Sequence, residues 1–325
     1  MGWVLSHLQS NRNLPLGSYL RALRDSPLKS RIVIARKSFP YLFRRLPEST
    51  AEDCEFESLA NYEMRYRRLA GLLSRGEKLP PPGEMEFLHS IQNQGAHPGT
   101  ISLPEFLFLT SFASVLAPKR AIEIGTLAGF SAALIAAAIH RQHPDHSGIL
   151  VDTIDRNTHS VIERDKAVGF QIRDIIPDFA STVRVHAPAD SALVHDLAAR
   201  DELEFVFIDA DHQHPRPLLD FIRTASRVRS GGWILLHDIK LGSMGLAAKK
   251  RGEATPGAAF GAEWLFAGFP FRKISGRNIG AVQIPDEKSD LVPMALRLMK
   301  LPFEMAPGSH ARLRTALHES IADLV

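Results

Sequence analysis

One cysteine, Cys54, stands in 325 residues. A lone thiol excludes an intrachain disulfide, a paired-cysteine redox motif and a thiolate zinc site, and it fits a reducing, cytoplasmic setting. Long apolar runs are missing too: the longest, Ala132 to Ile139, falls far short of the roughly 20 residues that cross a bilayer. The N-terminus lacks the apolar core of a signal peptide. Charge of one sign is scarce, since 39 basic residues against 36 acidic ones leave a net +3, weak grounds for a polyanionic partner. No internal repeat or low-complexity tract is visible. What is present, 45% hydrophobic and 23% charged residues, suffices for a full globular core.

One stretch departs from that balance. Residues 12 to 45 hold Arg12, Arg21, Arg24, Lys29, Arg31, Arg36, Lys37, Arg44 and Arg45 against a single acid, Asp25. Solvated helix faces explain such a stretch, while a peripheral membrane contact, a nucleic-acid surface or a transit role stays open.

Residues 1–95 read as a helical N-terminal extension. Its best helix is expected to start at Thr50, with Leu59, Tyr62, Tyr66, Leu69 and Leu73 on one face, and to end in the proline-rich linker Gly76 to Gly83. From Ser102 the pattern becomes a helix and then short apolar strands separated by helical stretches: Ala121–Ile124, Ile149–Ile154, Val183–His186, Phe205–Ile208 and Trp233–Leu236. That alternation predicts an α/β fold, a doubly wound, mostly parallel sheet covered by helices on both faces. Two further runs, Phe269–Ile274 and Ile279–Ile284, are joined by Ser275 to Asn278, too short for a crossover helix, so they pair antiparallel. Seven strands are expected over residues 96–285. A tail over 286–325 carries Leu313, Leu317, Ile321 and Leu324 on one helical face, suited to packing on the domain or on a second copy in a homo-oligomer.

Glu123-Ile-Gly125-Thr-Leu-Ala-Gly129-Phe-Ser131 follows the first apolar strand and opens a helix. Glycines there let the backbone approach a ligand at a helix N-terminus. Leu127 and Phe130 occupy positions where a dinucleotide fingerprint needs glycine, which disfavours NAD. The run resembles the E-x-G-x-x-x-G-x-S first motif of class I S-adenosylmethionine-dependent methyltransferases, particularly the small-molecule O-methyltransferases related to the catechol and caffeoyl-CoA enzymes. The resemblance implies a seven-stranded Rossmann-like domain, S-adenosylmethionine as cofactor, and Glu123, Gly125, Thr126 and Gly129 at its methionine end with Ser131 capping or touching it. An acid ending the next strand would bind the two ribose hydroxyls. Asp155 is the choice and Asp152 the competitor. Asp190-Ser191, after the third strand, falls where such enzymes contact adenine, and suits a helix N-cap equally well.

Phe205–Ile208 runs into Asp209-Ala-Asp211-His212, and Trp233–Leu236 runs into His237-Asp238, after Gly231-Gly232. Both clusters lie at C-terminal strand ends, the ligand edge of an open α/β sheet. They resemble the D-x-D-H and G-G-x-x-x-x-H-D forms of bacterial relatives of the metal-dependent O-methyltransferases. Carried over by position, Asp209, His237 and Asp238 become ligands of a divalent metal, with Asp209 also near the cofactor amine, and Asp211 or His212 becomes the base. An imidazole ligand suits Mn, Fe, Zn or Ni better than Mg. His214 and His140 are expected on the surface. The linker Lys240 to Ala262, with Lys249-Lys-Arg251, suits a lid over a small-molecule acceptor. Three rivals remain: an RNA methyltransferase, which lacks an aromatic stacking array; a non-catalytic binding or assembly protein on the same fold; and a metal-dependent hydroxylase-like relative.

Overall fold

A computed structural model describes residues 49–76, 78–94, 101–253 and 258–325. The basic stretch at 12–45 lies outside them. Eight strands form one sheet: β1 (Glu52–Asp53), β2 (Ala121–Ile124), β3 (Val151–Ile154), β4 (Val183–His186), β5 (Leu203–Ile208), β6 (Val228–His237), β7 (Lys273–Gly276) and β8 (Ile279–Gln283). Their spatial order is β1-β7-β8-β6-β5-β2-β3-β4. All neighbours are parallel except β8, which runs antiparallel to both β6 and β7.

The helices are α1 (Tyr62–Leu72), α2 (Glu84–Gln94), α3 (Leu103–Leu116), α4 (Phe130–Gln142), α5 (Ile172–Ile175), α6 (Val194–Leu197), α7 (Arg216–Ala225), α8 (Leu241–Lys250), α9 (Gly261–Gly268), α10 (Leu291–Leu298) and α11 (His310–Ala322). The sheet therefore has eight strands where seven were expected. The extra one is the residue pair Glu52–Asp53, read from sequence as the first turn of a helix. It pairs instead with β7, and the helix begins only at Tyr62. Residues this short are claimed by an exposed sheet edge, whose unpaired N–H and C=O groups outweigh local propensity.

Two apolar cores flank the sheet. On one face α3 and α4 pack with Phe56, Tyr62, Tyr66, Leu69, Leu88 and Ile91 of the N-terminal region. On the other, α7, α9 and α10 pack with Leu313, Leu317, Ile321 and Leu324 of the tail, so the amphipathic helix α11 covers its own chain. Helix α4 is buried from Phe130 to Ile139, which is why Ala132 to Ile139 is apolar all round: it packs on β3 and β4 and against the neighbouring helix α3. Among the described residues no helix is long and apolar enough to cross a membrane.

The register fixes the site. Ile124 aligns with Ile154 on one side and Ile208 on the other, and Ile208 aligns with Leu236. Gly125, Asp155, Asp209 and His237, each the next residue or the strand's last, are thus brought side by side at the C-terminal edge. Strand β2 pairs with β3 and with β5, so the chain reverses direction across the sheet here, the place where a crevice opens.

Candidate active site

A cleft of about 850 Å³ opens at that edge, a volume suited to a small-molecule ligand. It is lined by Gly125, Thr126, Ser131, Asp155, Asp190, Ser191, Asp209, Asp211, His212, His237 and Asp238. These are eleven of the thirteen site residues expected from sequence; Gly129 and Glu123 do not line it. Glu123 is buried beneath the turn, where Ser131 Oγ and Thr153 Oγ1 each donate to its carboxylate at 2.5 Å.

The glycine turn is held by its neighbours. Gly125 N–H donates to Ile154 O at 2.8 Å, and its φ of +105° lies in the region that favours glycine. Asp155 Oδ2 accepts the N–H groups of Thr126 (3.2 Å) and Leu127 (3.0 Å), and Oδ1 accepts from Asn157 N (2.8 Å) and Nδ2 (3.2 Å). Asp152, the competitor for this role, points the other way and binds His186 Nε2 at 2.8 Å. Asp190 caps the next short helix by accepting Ala192 N–H at 2.8 Å, and it also lines the cleft. Ser191 Oγ donates to Asp220 at 2.5 Å.

Burial pushes Glu123 up to about 8, against the two hydroxyl bonds, and Asp209 and Asp155 add to the rise. The folded protein therefore holds a proton that the unfolded chain releases near 4.5. This contribution to stability is complete below that value and is lost as pH rises through about 8. Glu123→Gln is expected to remove a slope approaching 1.4 kcal/mol per pH unit across this window. Denaturant titrations of both proteins at several pH values measure it, and parallel curves refute it.

The acidic and histidine cluster meets differently from the expectation. Among the described residues, Asp209, His212 and Asp238 are the three whose candidate ligand atoms lie within 4.8 Å of one another. His212, expected as a candidate base, belongs to this group, and His237 does not. His237 is turned inward, with Nδ1 at 3.1 Å from Asp209 Oδ1 and 3.6 Å from Asp238 Oδ1, and Nε2 at 3.5 Å from Glu105 Oε2. Burial lowers its pKa, but the Asp209, Asp238 and Glu105 carboxylates outweigh that and hold it well above the ordinary histidine value.

Asp211 also differs from a free base. One oxygen accepts Gln213 N–H at 3.0 Å and the other meets Arg156 at 3.1 Å, across the glycine turn. His212 is the less encumbered of the two. Its Nδ1 lies 3.2 Å from Asp238 Oδ2, and Asp238 Oδ1 accepts Asn278 Nδ2 at 2.7 Å. Asp238 sits at φ +59°, strained for a residue with a side chain, and the Asn278 bond from the β7–β8 turn helps hold it there.

No sequence motif points to Glu105, Asp220, Asn278 or the arginines Arg216 and Arg223 around the cleft. Arg156, adjacent to Asp155, was within reach of the same motif argument. His214, expected on the surface, is buried against Trp264 and Phe303, which drives its pKa down to about 3. His140 is half-buried and stacks on Phe179. The expected lid is largely helix α8, and residues 254–257 lie outside the described residues.

Residues 122–239 match the family model described as a methyltransferase domain. The match runs from β2 to just past the end of β6, and that segment is similar to a methyltransferase domain. No curated protein matches the chain. Solved structures resemble it at low identity. A cofactor-bound protein from MTB is 19% identical with a TM-score of 0.43, covering 67% of this chain and 96% of its own. The O-methyltransferase from Bacillus cereus, in complex with SAH, is 19% identical with a TM-score of 0.38, covering 68% and 99%. TomG, the O-methyltransferase from Streptomyces achromogenes involved in tomaymycin synthesis and solved with SAM, is 16% identical with a TM-score of 0.40, covering 68% and 98%.

Proposed function

We propose that the protein transfers the methyl group of S-adenosylmethionine to a hydroxyl oxygen of a small molecule, with His212 as the general base. The observation that carries this reading is the His212–Asp238 pair, 3.2 Å apart, in the same cleft as the glycine turn and Asp155. Methyl transfer from a sulfonium is an in-line displacement, so the protein has to align the acceptor oxygen with the methyl carbon and remove the hydroxyl proton. Asp238 fixes the Nδ1–H tautomer of His212, leaving Nε2 to take that proton. The oxygen–carbon bond forms as the carbon–sulfur bond breaks, and S-adenosylhomocysteine leaves with the electron pair. Asp155 holds the ribose hydroxyls, the Asn157 amide being the donor that a ribose hydroxyl replaces. Asp190 and Ser191 face the adenine. The open backbone of Gly125 to Gly129 receives the methionine part, and Asp209 faces its ammonium.

The convergence of Asp209, His212 and Asp238 favours a second reading, in which the three hold a divalent cation. Two carboxylates and an imidazole fit Mn, Fe or Zn. The cation would lower the pKa of the acceptor hydroxyl, and His212 would then be a ligand instead of a base. The two readings part on chelation. Under the first, stripping divalent cations leaves turnover within about twofold. A loss of turnover that far exceeds any loss of cofactor affinity selects the second.

The function itself is tested by calorimetric titration with S-adenosylmethionine, followed by labelled methyl transfer to a panel of phenols, catechols and sugar hydroxyls. Micromolar cofactor binding and transfer to one of these classes are expected. A chain that binds no cofactor is a binding or assembly protein on this fold.

A further inference from the structure

Glu304 lies in the tail beyond α10, far outside the matched segment 122–239. Its carboxylate accepts two backbone N–H groups from separate parts of the chain: His214 N donates at 2.6 Å and Phe260 N at 3.0 Å, both to Oε2, with Phe260 N also 3.1 Å from Oε1. Its own N–H donates to His214 O at 2.9 Å. The next backbone link, Gly261 N–H to His212 O at 2.9 Å, joins the same two segments directly. Packing repeats the pattern, because Phe303 and Trp264 both meet the His214 ring, and Phe260 stacks on Trp264.

The two segments are the walls of the reacting end of the cleft. One is the loop that carries Asp209, Asp211 and His212. The other, Ala258 to Gly261, lines the cleft through Ala258 and Ala259 and leads into α9. Asp209 N–H still donates to Ile124 O of β2 at 2.8 Å, but the rest of that loop and the 258–261 wall lie beyond strand ends. A general base works only when its ring nitrogen is held within hydrogen-bond reach of the acceptor, and a displacement of about 1 Å costs orders of magnitude in rate.

We propose that Glu304 is a positioning residue for the methyl-transfer site: it clamps the His212 loop to the 258–261 wall, making the C-terminal tail part of the catalytic apparatus. This rests on the reading of His212 as the base. Charge suits the task, because a carboxylate oxygen accepts two N–H bonds more strongly than a neutral carbonyl does. The clamp also explains why Gly261 follows Phe260: a Cβ at Gly261 would lie 2.7 Å from His212 O and prise the two walls apart.

The test uses the full chain and the variants Glu304→Ala and Glu304→Gln, the latter keeping one oxygen that can accept both N–H groups. Hydrogen exchange is followed by mass spectrometry in peptides over 209–216 and 258–266, with β5 and β6 as internal controls. The His212 ring is followed by NMR of 13C-histidine-labelled protein, with the signal assigned from His212→Gln. Glu304→Ala is expected to speed exchange in the two wall peptides by about tenfold. It should also move the His212 signal, leave the His186 signal in place and keep affinity for S-adenosylhomocysteine. Glu304→Gln should restore the native pattern. Unchanged wall exchange, an equal rise in β5 and β6, or an unmoved His212 signal overturns the clamp. A native chain that fails to bind S-adenosylhomocysteine strikes the methyltransferase reading alone, because exchange and the ring signal report on the clamp without a ligand.

Discussion

His212→Gln should lower methyl transfer by about 10²–10⁴-fold, the range supplied by a positioned general base, while affinity for S-adenosylhomocysteine stays within about twofold. The separation follows from geometry. His212 contacts Asp238 at one ring nitrogen, whereas the glycine turn and Asp155, proposed to hold the cofactor, stand at the ends of β2 and β3. Asp238→Asn should give a smaller loss of the same kind, because an amide no longer fixes the tautomer of His212 or balances its charge once it is protonated. Turnover is measured under cofactor saturation with the best acceptor of the panel. If His212→Gln retains full turnover the base lies elsewhere. Asp211 is the next residue to test, and its bonds to Gln213 and Arg156 would then have to open first.

Gly125→Ala should remove cofactor binding and also weaken the fold, by about 3 kcal/mol or more. A Cβ built on Gly125 falls 1.9 Å from the carbonyl oxygen of Asp209 and 2.5 Å from its carbon, both backbone atoms of the neighbouring strand end. No rotamer relieves such an overlap, so β2 and β5 must separate where Ile124 and Ile208 are paired. The φ of +105° adds strain for any side chain. A loss of this size lowers the melting temperature by roughly 6–12 °C in a domain of 150–250 residues. Thermal melts and calorimetry with S-adenosylhomocysteine measure the two effects, and a variant that melts with the native protein would show that the turn relaxes freely. Gly125 substitutions thus cannot separate cofactor binding from folding. Asp155→Ala, which removes a side chain at the cleft, is the cleaner probe of the ribose contact.

The residue pattern by itself determined the fold class, because buried parallel strands must be short and apolar and the crossovers between them must be helices long enough to span the sheet. It likewise located the ligand edge: Gly125 to Ser131, Asp155, Asp209 to His212 and Asp238 follow strands directly, His237 ends β6 and Asp190-Ser191 come soon after β4, so the sheet register carries them to one edge. Only the tertiary structure decided what each side chain does there. His237 and His212 are interchangeable as letters beside an acid, but side chains alternate between the faces of a strand, and His237, the last residue of β6, turns toward Glu105 of α3 while His212, free of the strand, turns toward Asp238. Asp211 is paired with Arg156, 55 positions away. Glu52–Asp53 became an edge strand because β7, more than 200 residues later, offered it unpaired backbone. Glu304 and Asn278 had no motif to announce them, since their task is to hold backbone and side chains brought together by folding. Local sequence encodes periodicity and strand ends, where each residue's neighbours are nearly fixed. Long-range hydrogen bonds and charge pairs depend on which distant segments pack together, and that is settled by burial of the two cores on either side of the sheet.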